Sequence, residues 1–388
     1  MDKDAFPIAV PVPSAPPTAT APSMPPSSAF PSFSRISELN YNQIKSLKSQ
    51  GFPQGLIDII AQTTEYFPHR VWVVDNSGSM NQNDGNRLIP TKNKTQVRLA
   101  QCTRWEEIRE TVNYHAQMAA LIQIPTTFRL LNNPGAHVGK QEFSVADKGY
   151  DVQTIERDVE TAKHTMNNAS PSGVTPLAKH VREIRESIVP MAEDLNNQGK
   201  KIAVILATDG LPTNERGVGG ADERNEFIEA LRSMEGLPVW IVIRLCTDEY
   251  DVVEFYNTVD EQLELSLEVL DDFIGEAEEV HEHNPWLNYT LPLHRIREMG
   301  IPHRLFDLLD ERPFTRSELR DFCFLLFGQG VFDGVPDPEE DFTAFLKALD
   351  RILKIEKDQW DPVKKKMKPM LNLKEMHKIY GDSSCTIM

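Results

Sequence analysis

Val71-Trp72-Val73-Val74-Asp75-Asn76-Ser77-Gly78-Ser79-Met80 is the stretch that decides the fold. An unbroken apolar run ends in a carboxylate, and hydroxyls follow at alternate positions. A run with no polar face reads as a strand buried on both sides, as in a parallel sheet. Open α/β sheets place their ligand sites at the carboxyl ends of such strands. The spacing of two lets Asp75, Ser77 and Ser79 turn into one concave loop. Oxygen donors with few charges suit a hard divalent cation, Mg²⁺ ahead of Mn²⁺ or Ca²⁺.

Two later segments extend the pattern. Ser172-Gly173-Val174-Thr175-Pro176-Leu177 opens a helix, with Pro176 at its first position. Residues 202–208 form a second apolar strand that runs into Asp209-Gly210. Taken singly, Asp75 or Thr175 would serve as a helix cap and Asp209-Gly210 as a turn. In this order, with two carboxylates on strand ends, they read as one oxygen site.

Asp-x-Ser-x-Ser, then a distant Thr, then a strand ending in Thr-Asp-Gly closely resembles the von Willebrand factor A (vWA) domain. The matching motif is that family's metal-ion-dependent adhesion site, and the resemblance covers about residues 67–284. It implies an α/β fold: a doubly wound, mostly parallel, Rossmann-like sheet flanked by helices. It implies Asp75, Ser77, Ser79, Thr175 and Asp209 as metal ligands, the hydroxyls directly and the carboxylates directly or through water. It also implies a protein partner that offers an Asp or Glu to the metal.

Enzyme readings of the same residues fail on their neighbours. A haloacid dehalogenase-like phosphatase wants a second Asp two residues after the first, where this chain has Ser77. The nucleophile elbow wants Gly-x-Ser-x-Gly, and Asn76-Ser77-Gly78-Ser79-Met80 lacks the outer glycines. No Gly-x-x-x-x-Gly-Lys-Ser/Thr occurs, so the chain is not a P-loop ATPase. The expectation is a binding protein and not an enzyme. The rivals are a scaffold or an ATPase-partner subunit of chelatase type, with a structural or idle site, and a metal-dependent hydrolase.

Composition narrows the setting. The 388 residues suffice for two or three domains, and a formal net charge of −17 argues against nucleic acid as a general partner. Cys102, Cys246, Cys323 and Cys385 are scattered, with no zinc-type spacing, as suits a reducing compartment. No signal peptide or membrane-length apolar run is legible. The expected location is cytoplasmic.

Along the chain, residues 1–33 carry nine prolines and read as a disordered Pro-rich tail. Residues 36–62 read as two short helices around Gly51-Phe52-Pro53, weakly similar to the start of a ubiquitin-associated domain. Within 67–284, strands are expected at 70–75, 126–132, 141–146, 202–208, 238–245 and 264–270. Helices are expected at 103–123, 151–167, 176–197, 221–234, 250–260 and 275–283. The pair 126–132 and 141–146 is separated by Asn-Pro-Gly, which suggests a hairpin and one antiparallel edge. Residues 81–101 read as a polar, basic loop. Residues 248–282 hold fourteen acidic side chains and no Lys or Arg, which reads as a solvated acidic face.

Residues 285–355 read as a helical region. Thr315-Arg316-Ser317-Glu318 is a capping box, and an amphipathic helix follows until Gly328. Residues 356–388 read as a basic tail. Its last four residues, Cys385-Thr386-Ile387-Met388, resemble a prenylation box, with Lys364, Lys365, Lys366 and Lys368 upstream. One lipid chain plus a basic cluster would hold the chain reversibly on a cytoplasmic membrane face.

Overall fold

The apolar run before Asp75 lies in the strand His69–Val74, which pairs in parallel on both sides, with Thr126–Leu130 and with Ile202–Thr208. Hydrogen bonds on both edges and apolar neighbours on both faces explain why the run carries no polar alternation. The computed structural model describes residues 39–90, 97–149 and 151–381. The Pro-rich stretch 1–33 and Cys385 lie outside the described residues.

Six strands form the central sheet, in the spatial order Glu142–Val145, Thr126–Leu130, His69–Val74, Ile202–Thr208, Val239–Leu245, Leu267–Leu270. All pairs are parallel except the edge strand Glu142–Val145, which is antiparallel to Thr126–Leu130, as the hairpin reading expects. The chain starts in the middle, builds one side, then returns and builds the other. The two strands flanking that reversal are the ones ending at Asp75 and Asp209.

Helices cover both faces. Arg104–Ile122 and Val152–Asn168 pack Trp105, Ile108, Val112, Ile155 and Val159 against Trp72, Phe128 and Ile205. On the other face Leu177–Ile188, Ala221–Arg232 and Tyr250–Gln262 bury Val181, Phe227 and Tyr256 against Val73, Leu206 and Ile243.

Several expectations give way. The helix expected at 176–197 stops at Ile188, turns through Val189–Met191 and resumes at Ala192–Asn197. Pro190 has no N–H to donate and its ring crowds the preceding turn. The expected loop at 81–101 contains a β-hairpin, Gly85–Pro90 against Val97–Cys102. It lies along the Arg104–Ile122 helix, where the Asn86 amide donates to Glu107 and Arg87 pairs with Glu110 at 3.0 Å. The outer face expected beyond the last strand is not solvated: Glu268 and Glu276 are buried around the Arg297 guanidinium.

A second apolar core is helical and draws on both ends of the chain. Tyr41–Ser49 and Gln54–Tyr66 contribute Leu47, Phe52, Leu56 and Ile60. Leu291–Arg297, Arg304–Glu311, Arg316–Phe327, Phe342–Leu353 and Leu373–Tyr380 supply most of the rest, around a fully buried Trp286, and Met118 and Ile122 of the Arg104–Ile122 helix join them. The Thr315–Glu318 capping box and the Gly328 stop are both present. A Cβ on Gly55 would lie 2.2 Å from the Leu325 carbonyl oxygen, so glycine is what lets Gln54–Tyr66 and Arg316–Phe327 cross this closely. Residues expected as a basic tail are part of this body. Gln359–Asp361 and Lys366–Lys368 form a short hairpin, and Met376 and Tyr380 of the last helix join the core.

The two cores meet at Glu298. It accepts from His115 Nε2 and Arg295 Nη1, both at 2.8 Å, with Arg244 at 3.5 Å and His294 at 3.3 Å. Burial holds the His115 pKa down to about 4 against the pull of Glu298, so the neutral ring donates from Nε2.

Candidate metal centre

The ladder between the two central strands runs one residue past Val74, with the Asp75 amide donating to the Ala207 carbonyl at 2.8 Å. Asp75 and Asp209 therefore emerge side by side at the carboxyl edge, at the point where strand order reverses, and both are buried. Each side chain is fixed by short bonds. Asp75 accepts from the Ser77 amide and from the Thr208 hydroxyl, both at 2.7 Å, one on each oxygen. A single 3₁₀ turn over Gly78–Asn81 brings Ser79 back toward the strand ends. The Ser77 and Ser79 hydroxyls lie 3.0 Å apart, and Ser79 donates to Asp209 Oδ1 at 2.8 Å.

Four of the five positions named from the sequence thus form one hydrogen-bonded chain, Asp75–Ser77–Ser79–Asp209. Thr175 is buried beside it and is placed through its backbone. Its amide donates to the Thr213 hydroxyl, and its carbonyl accepts from the Thr213 amide, both at 2.9 Å. Its loop is stitched to the Asp75 turn by Ser172 N to Asn76 O at 2.7 Å and Gly78 N to Gly173 O at 3.3 Å. Among the described residues no hydrogen bond joins the Thr175 hydroxyl to the other four side chains.

Sequence reading missed the residues that hold these loops. Asn76 accepts from the Asn132 amide at 2.8 Å and donates to the Asn132 carbonyl at 3.0 Å. Asn132 in turn donates to the Val174 carbonyl at 2.8 Å. A Cβ on Gly173, whose φ is +97°, would lie 2.4 Å from the Asn132 side chain. Arg104, first residue of its helix, is buried against the site. Its Nη1 donates to Asp209 Oδ2 at 3.1 Å, a fork grips Asp84 at 2.8 and 2.6 Å, and Nη2 reaches Glu249 at 2.8 Å. Nothing in the local sequence marks Arg104, since its partners come from three separate segments.

Both carboxylates are held above their usual range. Burial first, and the Asp209 charge second, push Asp75 up to about 6, although bonds from Ser77 and Thr208 stabilise its anion. Burial raises Asp209 too, against the opposing pull of Ser79 and Arg104. Two buried carboxylates that resist ionising together, bridged by two hydroxyls, form an all-oxygen donor set. That chemistry fits Mg²⁺ or Mn²⁺. Among the described residues no His, Lys or Cys side chain hydrogen-bonds to Ser77 or Ser79; the Ser79 hydroxyl donates to the Asp209 carboxylate.

A second acidic group, Glu276, Glu279 and Asp310, brings carboxylate oxygens within 4.8 Å of one another. Arg297 sits among them, bonded to Glu276 and to Asp310, and supplies the cation from within the chain.

Comparison with known proteins adds little. No protein-family model matches the chain. No curated protein matches it either. Among solved structures, a mutant of the PilB minor pilin from Streptococcus sanguinis is similar over 62% of this chain and 62% of that chain, at 13% identity and a TM-score of 0.35. A likeness that loose carries no argument about function.

Proposed function

We propose that residues 67–284 are a vWA-like binding module that recognises an acidic group on a protein partner through a bound divalent cation. The observation that carries this reading is the Asp75–Ser77–Ser79–Asp209 chain at the reversal point of the sheet. Ser77, Ser79 and Thr175 would hold the ion by their hydroxyls, and Asp75 and Asp209 directly or through water. Mg²⁺ keeps exchangeable waters, and a partner's Asp or Glu would replace one of them. The chain's own residues do the rest: Thr208 and Arg104 orient the carboxylates, and Asn76 and Asn132 keep the three loops in register. The reading makes the chain a non-catalytic protein of the cytoplasm.

Isothermal titration with Mg²⁺ and Mn²⁺ tests it. One site is expected in the wild-type chain and none in Ser77→Ala/Ser79→Ala. A double variant that binds as well as wild type overturns the ligand assignment. A pull-down from lysate with and without EDTA, repeated with Asp75→Ala, should lose the same partners in both arms. Metal-dependent hydrolysis of phosphate or acyl esters, abolished by Asp75→Asn, would replace the binding reading with an enzymatic one.

We also propose that the carboxyl terminus is prenylated on Cys385 and rests on a cytoplasmic membrane face. Lys364, Lys365 and Lys366 are exposed on the terminal hairpin, where they could face anionic lipid. Lys368 is partly spent on Asp361, 3.4 Å away. Among the described residues no helix is long and apolar enough to cross a membrane, so attachment would rest on the lipid and these charges. Mass spectrometry decides: an unmodified Cys385 on most native molecules sinks the proposal.

A further inference from the structure

Asp209 reaches the candidate centre with one oxygen already taken. Oδ1 faces Ser79 at 2.8 Å, while Oδ2 is held by Arg104 Nη1 at 3.1 Å. The guanidinium is aimed at that oxygen by its other donors, which go to Asp84 and Glu249. Asp75 is restrained in the same manner: Oδ1 takes the Ser77 amide and Oδ2 the Thr208 hydroxyl, at 2.7 Å each. Neither carboxylate has both oxygens free.

This matters for ion choice. Ca²⁺ gathers six to eight oxygens at long distances and commonly uses carboxylates in bidentate fashion, whereas Mg²⁺ takes six oxygens at short distances, one from each ligand. We infer, on the proposed reading of the centre as a cation site, that Arg104 is a specificity-determining residue. By holding the outer oxygen of Asp209 it confines that carboxylate to one-oxygen coordination, and so selects a small octahedral ion against Ca²⁺. Thr208 holds the outer oxygen of Asp75 in the same way, while the Ser77 amide bonds the other. Both are positioning residues, since each acts on the ion through the carboxylate it holds.

Removing a positive charge strengthens binding of every cation by the general field, so absolute affinity does not isolate the effect. The ratio of Ca²⁺ to Mn²⁺ affinity does, because the field acts alike on two ions of equal charge. The experiment measures Mn²⁺ binding by electron paramagnetic resonance and Ca²⁺ binding by titration calorimetry, on the full chain. Wild type, Arg104→Met, Thr208→Val and a control, Arg87→Met, are compared. Arg87 pairs with Glu110 and leaves Asp209 untouched. The Ca²⁺ to Mn²⁺ ratio should rise about tenfold in Arg104→Met and in Thr208→Val, and should stay at the wild-type value in the control. Thr208→Val keeps the branched shape and removes the hydroxyl that bonds Asp75, so it carries the test if Arg104→Met does not fold. An unchanged ratio in Thr208→Val and in any folded Arg104→Met overturns the inference and leaves the cation site standing. Absence of any ion binding by the wild-type chain overturns the site itself and the inference with it.

Discussion

Arg104 and Arg297 are each 1% exposed, and each is shared among three carboxylates, yet the two regions around them do different work. The side chains around Arg297 are closed off: Glu268, Glu276 and Asp310 are 5%, 1% and 17% exposed. They come from the last strand and from two helices around the Leu291–Arg297 segment, so this cluster rivets the sheet edge to the helical body. Around Arg104 only Asp209 is buried, while Asp84 and Glu249 are 50% and 54% exposed. Water can serve those two, and on the proposed reading Asp209 and its hydroxyl neighbours are left for an incoming ion. A buried arginine among carboxylates is therefore not one motif. How wet its partners are separates the two surroundings.

The contrast breaks most readily on stability. Arg297→Met leaves Glu268 and Glu276 buried without their cation and should cost about 3–5 kcal/mol. Arg104→Met strands only Asp209 in the interior and should cost about 1–3 kcal/mol. Urea unfolding of both variants checks the order, and equal losses would erase the distinction between the regions.

A pH series sharpens it, because the two cores are joined by a neutral histidine. Unfolded His115 takes up a proton near pH 6.5, while the folded ring resists until about pH 4. Between those values the unfolded chain binds more protons, so stability falls as the pH falls, by up to about 3 kcal/mol from this group. His115→Gln keeps a donor for Glu298 and should flatten that slope in thermal melts taken from pH 7 to pH 4. A variant with the wild-type slope would mean that the ring is charged in the folded state.

Gly55→Val probes the helical body away from any charge. Its side chain would meet the Leu325 carbonyl, and the crossing of Gln54–Tyr66 over Arg316–Phe327 should lose about 1–3 kcal/mol. Cation binding at the far edge of the sheet should be unchanged, as titration of the folded variant would show. Smallest of all is the expected loss in Ser77→Ala/Ser79→Ala, about 1 kcal/mol, since these turn hydroxyls pack no core. A large loss in this double variant would make the turn structural, as the Arg297 cluster is.

Much of this was legible in the chain. The apolar strands and the periodic helices of the sheet region fall close to their expected places, because each carries its own period and its own stops. The meeting of Asp75, Ser77, Ser79 and Asp209 at one edge of the sheet was legible for the same reason: three are consecutive in pattern and the fourth ends an apolar run. The hairpin at Gly85–Pro90 and Val97–Cys102 was missed because its strands are polar and rest on a helix rather than in the sheet. The inward turn of Glu268 and Glu276 was missed because their cation, Arg297, lies on a later helix. Asn76 stands inside the motif, yet its partner Asn132 is 56 residues away.

By itself the sequence determined what depends on neighbours along the chain: a parallel α/β sheet, the turn after Asp75, a capped helix at Thr315 and a stop at Gly328. Only the tertiary structure decided what depends on distant pairs. It joined Tyr41–Ser49 and Gln54–Tyr66 to the helices beyond residue 290 in one core, built residues 359–380 into that core, and set Arg104 on Asp209. Periodicity and capping are local and cost little to encode, whereas a buried charge is stable only where other segments supply its partners. That is why the meeting of Asp75, Ser77, Ser79 and Asp209 could be read from the sequence and the contact of Arg104 with Asp209 could not.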